Sequence, residues 1–426
     1  MSYQKLAAFL RLTVLGFSIF FLCLPGLVSA GETPLFLYRG LRPASLGNAY
    51  EAIANDLSAI HYNPAGLTQI NKFSFQLLPI RGGITQDIFD QALSMENFLD
   101  DVVSPLTNSA NPLFDPTVAS ARSKLVEEVG NLSSKHLGVN IDFLGFSLSV
   151  PMVDKQMALG LSLYFQTLTE FRLAKKGVPW PDPILQMLDD EIIYRSVGQG
   201  ALATSLAYHV DLNQPFLKSV HFGTTARLIG RGEFSDVDDP FTISDLLNPK
   251  QFTEEYFDLG PNQSVADFIQ ENIDRKFGYS IDFGTIVIPF DGLNLGVVGR
   301  NLVGGIGGEE TFPPNVAISM AVRPLNLLKK TNTLLDMTLA ATYDDPNGDD
   351  ALGGYALDQL SDNLHLGAEV RLLPDQFIEA GLRVGNNQGF LTMGGDLRLL
   401  KFIHLEIARY SNLQSDWWIG AASLDF

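Results

Sequence analysis

Apolar and polar residues alternate with a period of two over most of this chain. Leu364, Leu366, Ala368, Val370 and Leu372 interleave with Asn363, His365, Gly367, Glu369 and Arg371. Ile378, Ala380, Leu382 and Val384 likewise oppose Glu379, Gly381 and Arg383, and Met393, Leu397 and Leu399 oppose Thr392, Asp396 and Arg398. Side chains on a strand point alternately to its two faces, so each run has one apolar and one charged face. Runs of this kind recur around 72 to 80, 137 to 151, 157 to 173, 192 to 210, 216 to 232, 277 to 290, 292 to 303, 313 to 324, 331 to 345, 361 to 373, 376 to 386, 388 to 400, 402 to 411 and 416 to 426. That makes about fourteen strands.

A soluble antiparallel sheet also has a wet and a dry face, so alternation alone leaves two readings. The connections separate them. Every second one is short: Met152 to Gln156, Asp211 to Pro215, Phe290-Asp291, Leu325 to Lys330, Pro374-Asp375 and Lys401. Those between are mostly long: 81–136, 174–191, 233–276, 304–312 and 346–360. An even strand number with short turns on one side and long loops on the other is the layout of a transmembrane antiparallel β-barrel, an all-β fold. With the N-terminus in the periplasm, all the long loops fall outside the cell. Some carry helical patterns, such as Asp115-Pro116 ahead of Val118, Ala121, Leu125, Val129 and Leu132, and Ser264 with Asp267 ahead of Phe268 and Ile269.

The first thirty residues read as a signal peptide. Lys5 and Arg11 precede the apolar run Leu12 to Leu24, and Leu27-Val28-Ser29-Ala30 supplies a small-residue cleavage pattern. Cleavage after Ala30 removes Cys23, the single cysteine, and with it disulfides, zinc thiolates and cysteine nucleophiles. It also removes two positive charges from a chain already at −19, which excludes nucleic acid as a partner. No later apolar run reaches the roughly 18 residues of a helical span. Expected organisation is signal peptide 1–30, an N-terminal segment 31–71 and a barrel 72–426.

Enzyme readings find little support. The histidines at 61, 136, 209, 221, 365 and 404 are scattered, and neither a Gly-x-Ser-x-Gly elbow nor a Walker loop occurs. Gly198-x-Gly200-x-x-Ala203 lies within a strand-like run. Asp344-Asp345-Pro346-Asn347-Gly348-Asp349-Asp350 has calcium-like oxygen spacing but places Asp350 where an EF-hand loop needs glycine, and it reads as a solvated acidic loop. No enzyme activity, cofactor or metal site is expected.

Inward positions of the barrel carry Glu369, Arg371, Glu379, Arg383, Asp396, Arg398 and Glu406, a mixed-sign lining suited to pairing charges and to holding a carboxylate headgroup through arginine. Trp418, Gly420, Ala422, Leu424 and Phe426 share one face of the last strand, and a terminal Phe on such a strand resembles the signal read by the bacterial barrel-assembly machinery. Trp417 and Trp418 are expected at the opposite membrane interface.

Ahead of the first strand, the segment from Gly40 to Leu67 is too rich in small residues to span, and its natural place is the lumen. Ser45 to Tyr50, Ala54 to Asp56 and Asn63-Pro64-Ala65-Gly66-Leu67 resemble the N-terminal signature of FadL-type outer-membrane transporters for long-chain fatty acids and other hydrophobic compounds, and equally that of their PorV-like relatives. Val297-Val298-Gly299-Arg300-Asn301-Leu302 resembles a later strand in the same group. The resemblance implies a hatch in a fourteen-stranded barrel, gated through Asn48, Asp56, Asn63, Pro64 and Gly66. It implies passive uptake of a long-chain fatty acid or another apolar small molecule, by a monomer set in outer-membrane lipid and lipopolysaccharide. Met95, Phe98, Leu99, Phe257 and Phe268 in the outer loops are the capture candidates. Two alternatives stand beside transport: a PorV-like component for protein secretion or surface attachment, and a closed structural barrel or adhesin.

Overall fold

In a computed structural model the described residues are 40–88, 137–174, 191–235, 241–242, 273–307, 314–327, 334–344, 363–374, 376–411 and 416–426, with isolated positions between 90 and 135. Among the described residues there are fifteen strands: β1 (Ser74–Thr85), β2 (Leu137–Met152), β3 (Met157–Ala174), β4 (Glu191–Gln214), β5 (Leu217–Ser235), β6 (Phe241–Thr242), β7 (Asp274–Phe290), β8 (Leu293–Ile306), β9 (Asn315–Val322), β10 (Leu335–Asp344), β11 (Leu364–Leu372), β12 (Ile378–Asn387), β13 (Phe390–Leu399), β14 (Ile403–Ser411) and β15 (Asp416–Asp425). Strand β6 is a two-residue rung on the far end of β4. The other fourteen pair antiparallel with their neighbours in chain order, and β1 pairs with β15, so the sheet closes.

Fourteen strands about 4.8 Å apart, tilted by about 40°, enclose a ring roughly 28 Å across. All fourteen expected runs fall on these strands. The far ends of β1, β5, β7 and β8 run longer than the alternation suggests: β1 continues to Thr85, where the expected strand stops at 80. Pro79 and Gly82-Gly83 interrupt the sequence pattern, yet Gly83↔Ile419 and Ile84↔Trp418 extend the ladder with β15. The irregularity is absorbed by a bulge between Leu77 and Ile80.

Polarity is inverted relative to a water-soluble protein. Outward positions such as Leu228, Met320, Leu366, Leu382, Leu391, Leu405 and Ile407 are exposed around the ring. Inward positions carry Arg81, Asp142, Arg227, Asp282, Glu369, Glu379 and Arg383, all buried. A continuous apolar belt of this kind suits hydrocarbon and would be a severe liability in water. No helix among the described residues is long and apolar enough to cross a membrane.

At the seam, Phe426 faces outward between Phe75 and Phe402, and its backbone exchanges two hydrogen bonds with Phe75 at 2.7 and 2.8 Å. The two adjacent tryptophans do not both reach an interface, because neighbours on a strand face opposite ways. Trp418 donates from its indole to Gln86 Oε1 at 2.5 Å. Trp417 instead turns inward and packs with Ala44, Leu168, Val197 and Tyr410.

Residues 40–71 lie within this ring. They form two short helices, Leu41–Ser45 and Ala59–Tyr62, and a 3-10 turn, Pro64–Gln69. Leu46, Tyr50, Ile53, Ile60 and Leu67 gather into an apolar cluster completed by small wall residues, Ala158, Ala203, Ala207, Ala321 and Ala340. Short wall side chains are what allow a folded segment to approach the strands from inside.

Candidate functional site

Small residues in the inner segment and in the wall set the closest approaches. Gly47 has a φ of 64°, and a Cβ there would lie 2.5 Å from Asn386 O. At Gly66 a Cβ would lie 1.7 Å from Ala54 O, so no other residue fits without moving the backbone. The Asn-Pro-Ala-Gly turn is therefore a packing requirement. Asn63 caps it, accepting from Ala65 N at 3.2 Å while its amide donates to Glu51 O at 3.0 Å and Thr285 O at 3.3 Å.

Two sets of contacts hold the segment to opposite walls. On one side, Asn48 donates to Asn387 Oδ1 at 3.2 Å and Tyr410 Oη at 3.3 Å, on β12 and β14. On the other, Asn63 meets β7, Thr225 of β5 donates to Ile60 O at 3.0 Å, and the guanidinium of Arg227 reaches Ile60 O and His61 O. Strands β5 and β7 lie half a ring away from β12 to β14. The segment thus spans the lumen.

Charge makes the strongest attachment. Arg42 forks Glu369 of β11, with Nε to Oε1 at 2.8 Å and Nη2 to Oε2 at 2.6 Å. Its remaining nitrogen donates to Asn55 Oδ1 and Asp56 Oδ2, both at 2.8 Å, and the guanidinium lies 5.4 Å from the Tyr50 ring centre. Burial opposes the Arg42 charge, but Glu369, with Tyr50 and Asp56 behind it, raises its pKa well above the ordinary value. Asp56 shows the converse: burial would raise its pKa, and Arg42 with the Tyr50 hydroxyl brings it below the ordinary carboxylate value.

Glu369 also takes a hydrogen bond from Arg383 Nε at 2.8 Å, and from there the lining continues as one network. Arg383 pairs with Asp396 and, at 3.9 Å, with Glu406. His404 joins Asp396 at 3.2 Å and Asp425 at 3.4 Å, Arg398 joins Asp425 at 3.0 Å, and Glu379 is shared by Arg371 and Arg398. All seven charged positions expected to face inward belong to this network on β11 to β15.

A second anchor was not singled out by sequence reasoning. Glu51, 1% exposed, pairs with Arg300 of β8 and accepts from Thr342 Oγ1 at 2.7 Å. Arg300 sits in a bulge where Ile281 faces Val303 but Phe283 faces Gly299. Asn301 there has a φ of 52°, and its backbone N–H donates to Asp282 Oδ1 at 2.9 Å. Asp282 in turn pairs with Arg227 at 2.5 Å, each 1% exposed. In the sequence the Gly299-Arg300-Asn301 stretch stands out only as a family-like motif; Arg42 and Glu51 are visible there as charges in a segment rich in small and apolar residues.

Of the expected gating residues, Asn48, Asp56, Asn63, Pro64 and Gly66 are all in the inner segment, but at separate contacts: Asn48 at β12 and β14, Asp56 beside Arg42, and Asn63 to Gly66 at β5 and β7. Pro64 lies against Gly223 of β5, where a Cβ would come within 2.3 Å of its backbone. The capture candidates Met95, Phe98, Leu99, Phe257 and Phe268 fall outside the described residues, as does the acidic loop after Asp344. No group of three or more metal-ligating side chains occurs among the described residues.

No protein-family model matches the chain, and no curated protein matches it. Among solved structures it is similar to the toluene transporter TbuX of Ralstonia pickettii, at 8% identity over 92% of this chain and 98% of that one, with a TM-score of 0.46. It is similar to a deltaS2S3 mutant of the monoaromatic hydrocarbon channel TodX, at 11% identity over 88% and 98%, TM-score 0.44. A Pseudomonas aeruginosa FadL homologue matches at 10% identity over 94% and 97%, TM-score 0.34. Likeness at this level leaves the chemistry of this chain to its own residues.

Proposed function

We propose that this chain is an outer-membrane channel for passive uptake of hydrophobic molecules such as long-chain fatty acids, with residues 40–71 as its hatch. The observation that carries the reading is the segment across the lumen, tied to opposite walls by hydrogen bonds and ion pairs. A ring roughly 28 Å across would leak ions if open, and a bound plug prevents that. Its attachments are non-covalent, so a local rearrangement of Asn63 to Gly66 or of the Arg42 contacts opens a path without unfolding the barrel. An apolar molecule gathered among the outer loops would then descend past the hatch. No reacting group, cofactor or metal is needed for such passage, in keeping with a non-enzymatic role.

The test is uptake of labelled long-chain fatty acid by cells lacking their own transporter, comparing the intact protein with Asn63→Ala and Gly66→Ala after surface insertion is equalised. Uptake above that of empty cells, altered by either hatch substitution, is the expected result. A correctly inserted barrel that passes neither fatty acid nor toluene nor an alkane would refute the channel reading.

A further inference from the structure

At the short-turn mouth of the barrel, between the inner segment and strands β4, β5 and β7, lies an open recess of about 310 Å³. Its lining is rich in hydrogen-bond donors: Arg323, Asn55, Gln69, Asn71, His209 and His221 all contribute. Three of these present buried nitrogens with no hydrogen-bond partner among the described residues: Arg323 Nε, Gln69 Nε2 and His209 Nδ1. The Arg323 and Gln69 nitrogens are donors, while His209 Nδ1 donates or accepts according to its tautomer; buried donors left unpaired are costly and call for an acceptor.

Arg323 is the informative member. Other lumen arginines, including Arg42, Arg81, Arg227, Arg300, Arg371, Arg383 and Arg398, lie within ion-pair distance of a carboxylate. Arg323 is half-buried and lies within ion-pair distance of no carboxylate among the described residues, although Asp336, the foremost acidic group acting on its charge, favours its cationic form. Its backbone is firmly mounted: its N–H donates to Gly292 O at 2.8 Å, and its carbonyl accepts from Asn326 and Leu327 at the helical turn Pro324–Leu327. Beside it, Asn55 has its amide oxygen occupied by Arg42, which leaves the NH2 group as what it can offer. His221 is held between Thr68 Oγ1 at 2.6 Å and Ser219 Oγ at 2.9 Å, and its ring stacks on that of His209 at 5.1 Å.

We infer that this recess is a binding site for a carboxylate, with Arg323 as its charge partner and Asn55 and Gln69 as neutral donors. An acceptor-only anion satisfies the guanidinium and the adjacent amides together, whereas a neutral hydrocarbon satisfies none of them. The carboxylate has two sources, the head of an amphiphile that has passed the hatch or a small free anion. The first source rests on the channel reading above; binding itself does not. Because Asn55 also holds Arg42, an occupied recess adjoins the ion pair that ties the hatch to β11.

The experiment uses the full chain folded in detergent micelles and octanoate labelled with 13C at its carboxyl carbon. A saturable shift of that resonance is expected with the intact protein, weakened at least about tenfold by Arg323→Gln, the loss of a charge-assisted pair. Arg323→Lys, which keeps the charge, is expected to retain part of the binding, and unboiled gel mobility verifies the barrel in each variant. Acetate that competes as well as octanoate identifies a free-anion site; octanoate binding that acetate does not displace identifies the head of an amphiphile. Equal affinity in Arg323→Gln, octanol binding as tightly as octanoate, or no shift up to about 10 mM overturns the inference. Uptake measured in parallel keeps the two readings apart: uptake by an intact protein that binds no carboxylate refutes the site alone, and binding without uptake refutes only the channel.

Discussion

Replacing Arg42 by Met removes the guanidinium while keeping most of the methylene bulk, and isolates what the charge contributes to holding the inner segment. Glu369 is 1% exposed and would lose two of the three hydrogen bonds it accepts from arginines, keeping the one from Arg383. Removing one partner of a buried ion pair costs about 3–5 kcal/mol, because the remaining charge is stranded. Arg383 stays in place, so the lower figure applies, about 3 kcal/mol. The contact with Asp56, whose side chain is 39% exposed, adds less than about 1 kcal/mol after solvent screening. About 3 kcal/mol corresponds to roughly a hundredfold in the opening equilibrium. Amide hydrogen exchange within 44–62 should accelerate by that factor while the strand ladders remain protected, since local opening is read directly by exchange. Adding Glu369→Gln removes the stranded carboxylate and should recover part of the protection. Acceleration below about threefold, or a double variant no better protected than the single one, would refute the assignment of Arg42 as the main bolt.

Two further outcomes follow from other contacts. His61 is buried, with Nε2 3.1 Å from Ser162 Oγ, and burial followed by the charges of Arg227 and Arg81 lowers its pKa well below 6.5. The packed segment therefore resists the proton that a loosened segment takes up, so its stability is full above pH 6.5 and falls as the pH drops below it, by at most about tenfold in the opening constant per unit. Exchange of residues 59–62, corrected for intrinsic rates, should show this slope, and His61→Gln should abolish it; an unchanged slope counts against the argument. On the outer face, Leu382 is 62% exposed in mid-strand, and Leu382→Arg should destabilise the barrel in bilayers by about 2–4 kcal/mol in a urea titration. A change below about 0.5 kcal/mol would mean that this face does not meet hydrocarbon.

Local alternation determined the strands. Whether a side chain faces the lumen follows from position parity alone, so the inward placement of Glu369, Arg371, Glu379, Arg383, Asp396 and Arg398 was readable from the residues, as were the strand number and the side of the short turns. Parity likewise sends Trp417 inward and Trp418 to the other face, so the pair does not sit together at one interface. Pairing between distant segments was not readable. Nothing local in Arg42 names Glu369, 327 positions away, and nothing in Glu51 names Arg300 or Thr342. The bulge at Arg300 and Asn301, the opposed attachments of Asn48 and Asn63, and the gathering of Asn55, Gln69, His209 and Arg323 around one recess depend on closure of the ring. Periodicity is a property of neighbouring residues and survives in the sequence; partner choice across a lumen depends on which strands close against which, and that is decided only when the whole sheet and the segment inside it are packed together.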